Sequence, residues 1–349
     1  MAENPIVLWF EDITSENVNL VGSKCGNLGE MIKKIKVPVP PGFAITTEAF
    51  DRFMKETDSE EEITKYLARF PPKDIAQYDE ASEVISQIIL SKQISRELQD
   101  IINQAYEELS QKCEVGDISV SVRSSGVMED LPEASFAGQY ESFLNIRGKV
   151  NLIEKVKECW ASLFTARAIS YRIKNELPVL AGLMSVGVQR MVNVRSAGVC
   201  FTVDASTGED TWVIIEGSWG AGEGIVQGKV IPDRYFINKE TLKVDEREIS
   251  QKMVQISLKG EGIMEENVPP EIQNSPSLGD EEATRVAELA KKVESSYGSP
   301  QDLEWAIDRD LPFPENIFLL QTRPVTALAK KKSTSERTLD TVIRCWTKQ

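Results

Sequence analysis

The spacing of hydrophobic residues changes along the chain, and each spacing predicts a different element. Between residues 47 and 113, for example at 85–89, apolar residues recur three and four positions apart, which predicts helices. The same spacing returns at residues 151–175 and again at 281–297. In the last segment acidic residues begin the helix, and Gly298 is its expected end.

Alternating apolar and polar positions predict strands elsewhere in the chain. They occur at residues 118–125 and in four short segments between residues 186 and 238. Two further strands are expected at residues 302–307 and 317–323, with an irregular loop between them. Strands and helices do not alternate regularly, so the order predicts an α+β fold and not a doubly wound sheet.

Composition and cysteine usage are typical of a folded cytoplasmic protein. The 349 residues suggest about two domains, and 41% of them are hydrophobic and 27% charged. Five scattered cysteines form no CxxC pair, which favours reduced thiols. The N-terminus lacks the pattern of a signal peptide, and the apolar stretch 178–188 is too short to cross a bilayer. We therefore expect a soluble, cytoplasmic protein with no membrane partner.

Charge and histidine content exclude several functions. With 55 acidic and 40 basic residues the formal net charge is -15, so nucleic acid is not an expected partner, and a small polyanion must be bound by a few focused basic side chains. The chain contains no histidine. This excludes Ser-His-Asp and Cys-His catalysis, histidine-ligated zinc and a phosphohistidine within this sequence.

Two isolated basic residues are candidates for phosphate binding. Lys24 lies in a glycine-flanked turn, and Arg123 ends an alternating segment and precedes two serines and a glycine. A cation beside hydroxyls and accessible backbone amides suits a phosphate group. Two surface ion pairs would have the same pattern, so both interpretations stay open at this point.

Two small-residue segments could also approach a phosphate. In the loop 134–139 small side chains would allow backbone amides close contact, although a plain turn has the same composition. The glycine-rich segment 217–224 is similar to a dinucleotide-binding GxGxxG motif. It is followed by a predicted strand and not by a long helix, which argues against a Rossmann unit.

Acidic and basic residues alternate on the two C-terminal strands. Asp302 and Glu304 share one face of the first strand, and Gln321 and Arg323 share one face of the second. If the strands pair, hard oxygen donors that suit Mg²⁺ lie beside a guanidinium that could neutralise phosphate charge. A cross-strand ion pair on a solvated sheet face is the alternative.

Taken in order, these segments resemble one protein family. The sequence is similar to the N-terminal nucleotide-binding region of the phosphoenolpyruvate synthase and pyruvate phosphate dikinase family, which has an ATP-grasp fold with the nucleotide between two lobes. The matching stretches span roughly residues 10–327 and are VGSKCGNLGEM, VPVPPGFAITTEAF, SVRSSGVMEDLPEASFAGQYESFLNI, VQRMV, SAGVCFTVD, EGSWGAGEGIVQG, PQDLEWAI and LLQTRPVT.

The resemblance implies a role for each matching position. Lys24 and Arg123 would hold the phosphates of ATP, and Arg323 would stabilise the phosphoryl group in transfer. Mg²⁺ would be organised by Asp302, Glu304 and Gln321. The remaining implied contacts are a loop closing over the phosphates (Ala137, Gly138, Gln139), a hinge strand for adenine (Gln189, Met191, Val192) and a ribose contact (Glu223).

The resemblance also implies a domain organisation. An N-terminal lobe would cover residues 1–185, a C-terminal lobe residues 186–329, and a polar tail residues 330–349. Ser23 and Cys25 depart from the glycine and asparagine that relatives often have beside the lysine. In long family members a phosphohistidine domain and a substrate barrel follow, whereas this sequence stops shortly after LLQTRPVT.

The absence of histidine bears on the reaction. Members of the family transfer phosphate from ATP to a histidine on a mobile domain and release AMP, so here the acceptor is expected on a separate partner subunit. Such a division resembles phenylphosphate synthase, which phosphorylates phenol and whose ATP-binding subunit is a chain of about this size, and this is the leading expectation. The alternatives are part of a phosphoenolpyruvate synthase-like enzyme acting on pyruvate, another histidine-relay relative, a regulatory nucleotide-binding subunit, or a fragment of a longer enzyme.

Overall fold

The computed structural model divides into two compact units. It describes residues 4–127, 130–131, 134–135, 141–180, 182–260 and 262–325. The first unit runs to Asn193 and also includes Ile256–Glu266 and Phe318–Gln321; the remaining residues form the second unit. Both helices and sheets are present, as the α+β prediction requires.

The first unit is built on a five-stranded sheet. Its strand order is β1-β2-β7-β3-β6, and the neighbouring strands are antiparallel. A separate short pair, β4 (Asp130–Leu131) and β5 (Ala134–Ser135), precedes β6. The five strands of the sheet are β1 (Val7–Trp9), β2 (Gly42–Ile45), β3 (Val120–Gly126), β6 (Ser142–Ile146) and β7 (Met184–Arg190).

The first compact unit extends past residue 185, where the resemblance places the end of the N-terminal lobe. A division between residues 185 and 186 would fall inside β7, which pairs with β2 and β3 of the first sheet. The chain leaves the first unit only after Asn193. The pattern of apolar residues identified the strand but could not show which sheet it joins, because that depends on pairing with distant segments.

Helices cover the sheet of the first unit. Trp160 and Phe53 are fully buried with ring centroids 4.9 Å apart, and burial of each such side chain contributes about 1.5–3 kcal/mol. The predicted helical regions 47–113 and 151–175 are confirmed. The helices are α1 (Val18–Glu30), α2 (Thr47–Glu56), α3 (Ser59–Arg69), α4 (Ile75–Ser91), α5 (Arg96–Lys112), α6 (Lys149–Ala161) and α7 (Ala166–Lys174).

The second unit is built on a six-stranded sheet in the order β11-β10-β9-β8-β14-β15. The strands from β11 to β14 are antiparallel to their neighbours. The two C-terminal strands lie side by side, as the sequence predicted. Their bounds are β8 (Val194–Phe201), β9 (Trp212–Trp219), β10 (Asp233–Asn238), β11 (Val244–Glu248), β14 (Gln301–Asp308) and β15 (Ile317–Pro324).

One long helix covers this second sheet. After the short α8 (Glu223–Val226), α9 (Asp280–Tyr297) packs on β8, β9, β10 and β14 through an apolar face that includes Val286. Gly298 ends α9 in the left-handed conformation with φ 68°, which confirms the predicted helix end. Trp305 on β14 is fully buried beneath it.

The hairpin of β12 (Val254–Leu258) and β13 (Ile263–Asn267) completes the described strands. Its turn belongs to the first unit, where the Asn145 side-chain amide donates to the carbonyl oxygens of Gly260 and Gly262 at 3.0 and 2.8 Å. Among the described residues, no helix is both long and apolar enough to span a bilayer.

Candidate functional site

The lysine turn is a break inside α1. Gly22 has φ 69° and ψ 173°, so the helix is interrupted before Lys24. A Cβ atom at Gly22 would lie 2.2 Å from the carbonyl oxygen of Ser125, and only glycine fits there. Lys24 Nζ donates to the carbonyl oxygen of Ser124 on β3 at 3.1 Å. The break therefore brings the ammonium group to the strand that carries Arg123.

The arginine lies in the middle of the first sheet. Arg123 pairs with Gly187 of β7 and with Ser142 of β6, so both backbone neighbours fix its position. Its Nη1 lies 3.4 Å from Oε1 of Gln321, which belongs to the same unit. The structure thus joins three residues that are far apart in sequence: Lys24, Arg123 and Gln321.

These three residues line one cavity of the first unit. Its volume is ≈ 10 Å³, close to the minimum that holds one water molecule, and Cys25, Gly187 and Gln189 contribute to the wall. A Cβ atom at Gly187 would approach Cys25 Sγ to 2.9 Å, so the glycine leaves the space that the thiol occupies. Two cations beside a small residue and an amide give the wall of this small cavity a charge that suits an anion.

Cys25, Gly187 and the contact between Arg123 and Gln321 were not anticipated from the sequence. Cys25 was noted there only as a departure from the asparagine of relatives. The one signal in the sequence was that Cys25 directly follows Lys24 in the glycine-flanked turn. Gly187 had no signal, because a glycine in a strand has several explanations.

The predicted adenine hinge is shorter than expected. Gln189 lies in β7, but the strand ends at Arg190, so Met191 and Val192 follow it. The Met191 N–H donates to the carbonyl oxygen of Ser119 at 2.9 Å, and Val192 is buried. The Met191 N–H is therefore already used within the protein and is not available to a base in this conformation.

Two residues of the predicted transfer face, Asp302 and Arg323, lie in the second unit and are in contact. Arg323 Nε donates to Oδ2 of Asp302 at 2.8 Å, which confirms that the two strands bring these side chains together. Burial raises the pKa of the Asp302 carboxyl, while the charge and hydrogen bond of Arg323 oppose the rise and nearby Glu304 adds to it. The Arg323 side chain is 44% exposed and that of Asp302 is 13% exposed, so the guanidinium is accessible to an incoming anion.

Other predicted residues are placed less fully. Glu223 is the first residue of α8 and is partly exposed. Ala137, Gly138 and Gln139 lie outside the described residues. Within the residues that are described, no three Cys, Asp or Glu side chains cluster closely enough to hold a metal ion.

The donor chemistry of the remaining candidates fits Mg²⁺. Glu304 offers a carboxylate and Gln321 an amide oxygen, and both are hard oxygen ligands. Mg²⁺ typically takes only one or two carboxylates from a protein and completes its coordination with water and substrate phosphates. A small set of protein ligands is therefore compatible with a nucleotide-bound ion.

Burial excludes two thiols from nucleophilic chemistry. It raises the pKa of Cys159 and Cys200 well above the ordinary range, so both stay protonated at neutral pH. Their positions beneath the sheets agree with a packing role.

Comparison with known proteins identifies the family. The profile of the family described as pyruvate phosphate dikinase, AMP/ATP-binding domain, matches residues 18–341. The chain therefore belongs to this family of ATP-binding domains, as its sequence motifs indicate.

Three archaeal relatives illustrate the similarity. A probable phosphoenolpyruvate synthase of Staphylothermus marinus is 40% identical over 96% of this chain and 43% of its own length. A probable phosphoenolpyruvate synthase of Methanothermobacter thermautotrophicus is 40% identical over 95% of the chain and 47% of its length. A phosphoenolpyruvate synthase of Aeropyrum pernix is 40% identical over 96% and 44%. The chain thus spans less than half the length of these relatives.

Proposed function

We propose that this chain is the ATP-binding part of a phosphoenolpyruvate synthase-type phosphotransferase. The observation that carries the proposal is that Lys24 and Arg123 line the same cavity in a chain that belongs to an AMP/ATP-binding family. The names of the relatives favour pyruvate over phenol as the final acceptor. The phenylphosphate synthase-like function and a nucleotide position between two lobes stay predictions.

In the proposed mechanism the basic residues have separate tasks. Lys24 and Arg123 bind and orient the phosphates of ATP. Lys24 does so as a point charge and Arg123 as a planar fork of donors. Glu304 and Gln321 would each offer an oxygen ligand to Mg²⁺, which would supply neutralisation of phosphate charge. Arg323, which Asp302 orients in this structure, meets the charge that develops during transfer.

The phosphate acceptor lies outside the 349 residues. A histidine relay consumes ATP, water and a histidine, and yields AMP, phosphate and a phosphohistidine. The chain contains no histidine. The acceptor is therefore a histidine elsewhere, either in a longer polypeptide or on a partner subunit, and this chain alone does not complete the reaction.

The experiment supplies the missing part in trans. The purified chain is mixed with Mg-ATP, with and without the segment of the Staphylothermus marinus relative that lies beyond the matched region, and AMP is measured. AMP formation is expected only with the added segment. AMP formed at the full rate by the chain alone would refute an external acceptor.

An Arg323→Ala variant separates catalysis from nucleotide sensing. Arg323 is proposed to act on charge that develops in transfer, so its loss is expected to lower AMP formation about 100-fold while ATP affinity changes little. The matched control is Arg309→Ala in the same unit, where the side chain donates to the Val194 carbonyl oxygen. Unchanged AMP formation in Arg323→Ala would favour a regulatory nucleotide-binding subunit instead.

A further inference from the structure

The helix break beside Lys24 is closed by one buried hydroxyl group. Ser125 Oγ donates to the Val21 carbonyl oxygen at 2.7 Å and accepts the Cys25 N–H at 3.2 Å. Ser125 is fully buried. One side chain therefore joins the residue before Gly22 to the residue after Lys24, and bridges two backbone groups across the break.

The same strand fixes both cations. Ser125 follows Arg123 by two positions on β3, and the carbonyl oxygen of Ser124 accepts from Lys24 Nζ at 3.1 Å. At Gly22 there is no space for the turn to shift toward the strand, since an added Cβ would lie 2.5 Å from Ser125 Oγ. Ser125 thus links the backbone of the lysine turn to the strand that carries Arg123.

We propose that Ser125 is a positioning residue for phosphate binding, which holds the Lys24 turn in register with Arg123. Its hydroxyl bonds to the backbone of the turn, and the residue is fully buried, so it would act on a bound nucleotide through other residues. The proposal rests on the proposed function, in which Lys24 and Arg123 bind the phosphates of ATP. Its specific content is that Ser125 acts on ATP affinity through Lys24.

Loss of the hydroxyl has a defined consequence. In Ser125→Ala the hydrogen bonds from Ser125 Oγ to the Val21 carbonyl oxygen and from the Cys25 N–H to Ser125 Oγ are lost, and the turn can relax away from β3. The strand itself keeps its pairing with β7, so the sheet is expected to persist. Because a point charge must lie close to a phosphate oxygen to bind it, we expect the Kd for ATP to rise about 10-fold.

The test is a double-mutant cycle on the full chain. ATP affinity is measured by calorimetry for the wild type, Ser125→Ala, Lys24→Ala and the double variant. If Ser125 acts through Lys24, its removal in the Lys24→Ala background is expected to change the Kd by less than about twofold. A merely structural role would weaken binding by a similar factor in both backgrounds, and that result would overturn the proposal.

The matched control is Ser185→Ala. Ser185 is also fully buried, it pairs directly with Ser125 across β3 and β7, and its hydroxyl makes no hydrogen bond to the described residues. This variant is expected to bind ATP like the wild type. Equal Kd values for Ser125→Ala and Ser185→Ala would also overturn the proposal.

The outcomes distinguish the proposal from the function on which it rests. If the wild type binds no ATP, or if Lys24→Ala binds it normally, the proposed function fails. If Lys24→Ala weakens binding and Ser125→Ala does not, only the positioning role fails. Should Ser125→Ala not fold, Ser125→Cys keeps the size of the side chain with a weaker hydrogen-bonding group, and the same cycle is measured with it.

Discussion

Replacing Gly22 with alanine tests the structural basis of the lysine turn. The backbone angles, φ 69° and ψ 173°, belong to a region that only glycine adopts readily, so the strain costs about 1–3 kcal/mol. The new Cβ would also lie 2.2 Å from the Ser125 carbonyl oxygen, which is backbone and can move only with β3. Overpacking of this kind costs about 1–3 kcal/mol. The total loss of unfolding free energy is about 2–6 kcal/mol.

Equilibrium urea unfolding measures this loss, and Gly116→Ala is the matched control. Gly116 is exposed, and a Cβ atom there meets nothing within 4 Å. Replacing Gly116 with alanine is expected to change the free energy of unfolding by less than about 1 kcal/mol. If both variants unfold at the same urea concentration with the same slope, the strained turn and its contact with Ser125 do not exist in solution as described.

Two predictions concern buried charges of the second unit. Lys252 Nζ and Asp233 Oδ1 are 2.5 Å apart, and both side chains are fully buried. Lys252→Met leaves the buried carboxylate without its cation, so the free energy of unfolding is expected to fall by about 3–5 kcal/mol. An unchanged free energy of unfolding would contradict this. In the folded protein the pKa of Asp302 is raised above its ordinary value of 3.8, so the folded state holds this proton more tightly than the unfolded chain does. The free energy of unfolding is therefore expected to fall as the pH rises from 3.8 through the folded pKa. Arg323→Ala removes the opposing cation, and a carboxyl NMR titration should give a still higher pKa for Asp302; a lower one would refute the contact.

The sequence predicted much of the second unit's site because the relevant information is local. Alternation placed Asp302 and Arg323 on their strands, and only the pairing of those strands was left open. The contact between Arg323 and Asp302 confirms this interpretation. Likewise α9 and its end at Gly298 follow from apolar spacing and a glycine, which are features of neighbouring residues.

The unpredicted features depend on distant parts of the chain. Gln321 reaches Arg123 only because residues 318–321 join the first unit, and no periodicity indicates that grouping. Lys252 lies in a polar stretch that has the pattern of an exposed loop, yet it is fully buried. Its burial requires Asp233, which a pattern of adjacent residues cannot associate with it.

The measurement that tests the central proposal most directly is the affinity of the chain for Mg-ATP in two charge-removing variants. A charged hydrogen bond to phosphate contributes about 1.5–3 kcal/mol, so Lys24→Ala and Arg123→Ala are each expected to raise the Kd roughly 10- to 150-fold. Lys34→Ala, which removes an exposed lysine paired with Glu30, should bind like the wild type. Equal affinity in all four proteins would contradict a phosphate site at Lys24 and Arg123.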